Sequence, residues 1–138
     1  MRRAGRAPRG SCRARGIIRL VRFDQFTVAL LIINPDGPVL TGEQESALQE
    51  AHMAHLADLH DAGHLIAAGP LMDMPDRTYR GLSILSVDVE TALELKGQDP
   101  AVRAGKFVVK AMPWMVPAGA IVAGEARFPR TIAEATGD

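Results

Sequence analysis

The 138-residue chain has a single cysteine, Cys12, so no disulfide can form within it, and a reducing, cytoplasmic location is expected. No window approaches the 18 or more consecutive apolar residues that a membrane-spanning helix needs. Before Asp24 there is no acidic residue, whereas eight of the 16 basic residues fall there. The formal net charge of zero therefore conceals a basic head and, from Phe23 onward, 8 basic against 16 acidic residues. An acidic body argues against a nucleic-acid groove, because phosphate binding draws its affinity from clustered Lys and Arg. The head also lacks the apolar stretch of a secretory signal, offering only Ile17, Ile18, Leu20 and Val21 around an arginine. Such a composition buries too little apolar surface to offset the entropy of ordering, so residues 1–22 are expected to be a disordered head.

At 138 residues and 47% hydrophobic, the chain is long enough for one domain with a core, taken as residues 23–124, followed by a tail over 125–138. Phe26–Asn34 is β-branched and apolar and ends in Asn34-Pro35-Asp36-Gly37-Pro38, which reads as a strand followed by a turn. Thr41, with Gln44 three residues later, is a capping box for a helix running to about Ala62, and Gly63 supplies its stop. Leu65–Ala68 is a second strand, Met72–Arg80 a loop, and Gly81–Val87 a third strand. Asp88 caps a second helix to about Gly97. Asp99-Pro100 opens a short helical turn, and Lys106–Met112 is a fourth strand closed by Pro113. The order βαββαβ is that of an α+β, ferredoxin-like antiparallel sheet.

The first strand is apolar on both faces: Phe26, Val28, Leu30 and Ile32 point one way, Ala29, Leu31 and Ile33 the other. Two helices can cover only one face. The other calls for a second subunit, which predicts a homodimer joined face to face through its sheets.

In the first helix, Leu48, Ala51, His52, His55, Leu59 and Ala62 fall on one stripe and Glu50, Asp58 and Asp61 opposite it. An imidazole turned toward a core without a partner costs about 1–3 kcal/mol. His52 and His55 therefore need hydrogen-bond partners, for which Asp73 and Asp99 are the candidates. Three readings remain open at this level: a His–Asp pair in acid–base chemistry, a metal site using the i, i+3 histidines, and core histidines with no chemistry. The metal reading lacks an HExxH frame or a cysteine cluster. His60 and His64 read as surface or strand-edge residues, and the methionines as packing or loop filling.

The set His52-x3-Leu56-x2-Leu59-x3-Gly63-x-Leu65-x2-Ala68-Gly69-Pro70, Gly81, Asp99-Pro100-x-Val102-x-Ala104-Gly105 and Pro113-Trp114 resembles the YCII-related (YciI-like) family over about Phe23–Pro117. The resemblance implies a dimeric α/β barrel in a widely bacterial family. Its site is a His–Asp pair in a cleft between helix and sheet, and one member eliminates HCl from a hydroxyquinone without a cofactor. On this resemblance the family histidine falls on His52, and Asp73, after the Gly-Pro turn, is the better match for its partner, with Asp99 second. The resulting expectation is a cofactor-independent enzyme, without metal, acting by elimination, isomerisation or related proton transfer on a cyclic or aromatic small molecule. His52 and Asp73 would be catalytic, with His55, Gly69, Pro70, Asp99 and Trp114 lining the pocket. The competing expectation is a non-catalytic ligand-binding or accessory module. No nucleic acid or membrane partner is expected.

Overall fold

A computed structural model describes residues 18–137, so most of the expected disordered head, residues 1–17 with Cys12, lies outside the described residues. Strand β1 (Phe23–Ile33) leads to helix α1 (Gly42–Asp61), strands β2 (Leu65–Pro70) and β3 (Tyr79–Leu85), and helix α2 (Val89–Gly97). A short helix α3 (Pro100–Arg103), strand β4 (Phe107–Pro117) and a terminal helix α4 (Ile132–Thr136) follow. The sheet order is β2-β3-β1-β4 with every neighbouring pair antiparallel, a ferredoxin-like α+β arrangement.

Local signals set most of these boundaries. The Thr41 hydroxyl accepts from the Gln44 N–H at 3.2 Å, and the Gln44 side chain accepts from the Thr41 N–H at 2.9 Å, so two otherwise orphaned donors are satisfied. At the other end of α1, Gly63 adopts φ +82°. Its N–H and that of His64 reach the carbonyls of His60 and Leu59, a Schellman closure that a residue with a side chain would strain. After β1, Asn34 caps its own turn through Asp36 N–H and donates to the Gly105 carbonyl at 2.9 Å. Gly37 completes that junction, because a Cβ there would come within 2.8 Å of the Gly105 oxygen.

All four strands differ from the sequence expectation at an end: β1 begins at Phe23 instead of Phe26, and β2 runs on from Ala68 to Pro70. Strand β4 does not stop at Pro113 but continues to Pro117, paired with β1 along its whole length from Ile33↔Phe107 to Phe23↔Pro117. Because β4 is an edge strand, a proline within it need not break a ladder bond on the open side. Strand β3 likewise begins earlier, at Tyr79, taking the end of the expected loop.

Burial alternates along β1. Thr27, Ala29 and Leu31 are buried beneath the helices, while Phe26, Val28, Leu30 and Ile32 on the other face are only half-buried. Ala29, Leu59, Leu65, Leu85 and Ala92 form the centre of the core. Each leucine contributes about 1.5–3 kcal/mol by its removal from water. The buried stripe of α1 is rotated from the expected one: Met53, Ala57 and Leu59 are buried and Ala62 is exposed.

The rotation has a cause in the C-terminal tail, which packs along the flank of α1 expected to face solvent. Arg130 pairs with Asp58 and Asp61 at 2.8 and 2.6 Å, and Glu50 accepts from the Ile132 N–H. His60 stacks on Phe128 with ring centroids 4.2 Å apart, and its Nε2 lies 3.0 Å from the Ala126 carbonyl oxygen. His60 is thus a docking residue for the tail rather than a plain surface histidine.

Candidate active site

The chain brings His52, from the middle of α1, against Asp99, the N-cap of α3. Asp-Pro at a helix start is locally favourable, since the carboxylate takes a free N–H and proline occupies the first helical position without losing a bond. Asp99 meets this role with Oδ1, which accepts from the Ala101 N–H at 2.9 Å. Its Oδ2 lies 2.6 Å from His52 Nδ1. Asp99 is fully buried and the His52 side chain is 12% exposed.

Burial alone would raise the Asp99 carboxyl, but the His52 hydrogen bond, the neighbouring imidazole and lysine charges and the Ala101 N–H together hold it below the usual carboxylate range. It is therefore an ionised acceptor, and the proton between the two groups belongs on His52 Nδ1. That tautomer leaves Nε2 as the basic nitrogen. Among the described residues it has no hydrogen-bond partner.

The His52 ring lines a cleft of about 290 Å³ between α1 and the covered face of the sheet. Leu31, Met53, Leu56, Phe107 and Phe128 supply apolar wall, Gly69 and Pro70 the end of β2, and Arg80, Ser83 and Lys96 the polar contacts. Phe107 stands 6.4 Å from the His52 ring, tilted by 58°. Phe128, Pro129 and Ala135 bring the tail to the cleft as well, so the segment docked on α1 also shapes its mouth.

The partner expected first for His52 is corrected by this geometry. Asp73 is exposed in the β2–β3 loop with φ 53° and makes no bond to His52, because the Gly-Pro segment continues as strand instead of turning back over the helix. His55 is not in the cleft either; its Nε2 donates to the Leu95 carbonyl at 3.0 Å, which ties α1 to α2. Trp114 pairs with Phe26 on the uncovered face of the sheet and is 40% exposed there, on the opposite side from the cleft. Gly69 and Pro70 do line the cleft. Among the described residues no three His, Cys, Asp or Glu side chains gather as metal ligands, and His52 and His55 turn to different partners.

Sequence reasoning missed Ser83, Arg80 and Lys96. A signal for Lys96 existed: it falls four residues after Ala92, on the same stripe of a short helix, where a lysine is out of place. The structure buries it completely, with Nζ donating to Ser83 Oγ at 3.2 Å. Burial pushes the Lys96 ammonium down from its ordinary value, and Asp99 acts in the opposite sense.

An antiparallel sheet under two helices, with a His–Asp pair at the edge of an apolar cleft, defines a small ferredoxin-like α+β domain with a candidate site between helix and sheet. The chain belongs to the YCII-related domain family, whose model matches residues 27–115. No curated protein is similar enough to the sequence to count as a match. Among solved structures, the chain is similar to 5-chloro-2-hydroxyhydroquinone dehydrochlorinase from Burkholderia phenoliruptrix AC1100, solved in complex with 2,5-dihydroxybenzoquinone. That similarity has 17% identity and a TM-score of 0.46, covering 64% of this chain and 92% of the other. No helix among the described residues is long and apolar enough to cross a membrane.

Proposed function

We propose that the protein is a cofactor-independent enzyme that moves a proton on a cyclic or aromatic small molecule, with His52 as general base and acid and Asp99 as its orienting partner. The observation that carries this reading is the 2.6 Å contact between His52 Nδ1 and a fully buried Asp99. A buried carboxylate that holds one ring nitrogen as N–H leaves the other free to accept a proton and stabilises the imidazolium that results. Nε2 takes a proton from substrate carbon or hydroxyl. In an elimination the leaving group then departs with its bonding pair; in an isomerisation the same nitrogen returns the proton to a second atom. Gly69 and Pro70 form one wall of the cleft in which the transfer takes place.

We further propose that the working unit is a cytoplasmic homodimer closed through the uncovered sheet faces into an α/β barrel. Support comes from the half-buried row Phe26, Val28, Leu30 and Ile32, continued by Leu82 and Ile84 on β3 and by Val108, Met112 and Trp114 on β4.

His52→Asn tests the catalytic reading on a panel of hydroxyquinones and lactones. Turnover is expected to fall by about 10²–10⁴-fold while the melting temperature stays close to that of the parent. Undiminished turnover in this variant would remove His52 from the chemistry and leave the cleft as a binding site.

A further inference from the structure

Lys96 is the largest of the fully buried side chains among the described residues, and the proton-transfer reading does not use it. Its amine makes one hydrogen bond there, to Ser83 Oγ at 3.2 Å, and no carboxylate oxygen lies within 4.0 Å of it. An ammonium carries three N–H donors. The remaining two have no protein acceptor among the described residues, and both Lys96 and Ser83 line the cleft. Asp99 does not serve them directly: none of its oxygens lies within hydrogen-bond distance of the Lys96 amine, and it acts on the ammonium only through its charge.

The Lys, Arg, Asp and Glu residues that line the cleft share one sign, and the nearest opposite charge, Asp99, stands behind His52. Arg80 and Lys96 line it, and no Asp or Glu does. A desolvated ammonium with a single, neutral hydrogen-bond partner, offset only in part by the more distant Asp99 charge, is an unfavourable arrangement for a fold, and it is relieved when an anion enters beside it. Low-dielectric walls strengthen that attraction over its value in water.

We propose that the ligand of this cleft carries an anionic oxygen, as a carboxylate or an enolate, which binds on the Lys96 ammonium and the Ser83 hydroxyl. The planar apolar body of the ligand packs against Leu31, Leu56, Phe107 and Phe128, within reach of His52. Arg80 lines the same cleft and adds longer-range attraction for the anion. This inference rests on the cleft being the functional site, yet it concerns equilibrium binding and does not require His52 to turn anything over.

Benzoate and benzamide, which share a shape and differ in charge, are suitable probes for calorimetric or NMR titration of the full chain. Benzoate is expected to bind at least about tenfold more tightly than benzamide. Lys96→Met is expected to abolish that preference without lowering the melting temperature, and Arg80→Gln to reduce it by a smaller factor. Equal binding of the two probes, absence of benzoate binding, or a preference that survives Lys96→Met overturns the proposal. Should Lys96→Met fail to fold, the parent protein with ¹³C-labelled lysine decides the matter: benzoate must shift the Lys96 Cε resonance, and an unmoved resonance is a refutation. His52→Asn separates the two readings, since it should remove turnover and leave the benzoate preference intact. Retained turnover in His52→Asn with the preference lost in Lys96→Met would overturn the dyad and uphold the anion site.

Discussion

The two faces of the sheet invert the usual expectation about inside and outside. The face beneath the helices buries Thr27 and Ser83, with Lys96 and Asp99 packed on the same side. The other face leaves Val108 and Trp114 in contact with solvent, 52% and 40% exposed, beside half-buried Phe26, Val28, Leu30 and Ile32. Polar groups inside and large apolar groups outside are each costly in isolation. The first cost makes sense where a site needs polar groups held in a dry, rigid setting. The second makes sense where a further surface closes over the sheet. On the proposed function, one sheet separates chemistry from assembly.

The comparison is broken most severely by a charge on the open face. The parent is expected to sediment as the proposed dimer at micromolar concentration and Leu30→Asp as a monomer. An unaltered sedimentation coefficient would show that this face is not the contact. On the covered face, Asp99→Ala removes the α3 cap, the His52 partner and the nearby countercharge of Lys96 together. A loss of about 3 kcal/mol in urea unfolding is expected, and a change below about 1 kcal/mol would mean that the site is soft.

Lys96→Met sharpens the contrast in the opposite direction. Replacing a buried ammonium by an apolar chain of similar length should raise stability by about 1 kcal/mol in the same measurement. A clear destabilisation would make Lys96 a structural partner of Asp99 instead of a burden carried for ligand binding.

The smallest effect concerns acid. Because the folded-state value of Asp99 is depressed, its contribution to stability is complete above the unfolded carboxyl value of about 3.9 and disappears as pH falls through the lower folded value. Urea midpoints measured from pH 5 downward should therefore fall more steeply in the parent than in Asp99→Asn. Parallel curves would indicate that another carboxylate governs the acid limb.

Legibility in the sequence followed the range of the interaction. The capping box at Thr41 and Gln44, the Gly63 stop, the Asn34–Gly37 turn and the Asp99-Pro100 helix start are exchanges between residues a few positions apart, and each stands where the sequence placed it. His52 was legible as an imidazole that needed a partner. The choice between Asp73 and Asp99 was not, because it depended on whether Gly69-Pro70 folds back or runs on as strand, and pairing with β3 through Pro70↔Gly81 decided that. The role of His60 was hidden for a similar reason, since its partner Phe128 is 68 residues away in sequence.

By itself the sequence determined the order of β1 to β4 with α1 to α3, the caps of those helices and the Gly63 stop, the two-sided apolar character of β1, and that His52 would require a hydrogen-bond partner. Those properties arise from periodicity and from donors and acceptors within one or two turns of each other. Only the tertiary structure decided that Asp99 is the partner, that Lys96 and Ser83 meet in the same cleft, and that the tail closes along α1. These choices turn on which distant segments share a volume, and local chemistry is silent on that until the sheet has chosen its register.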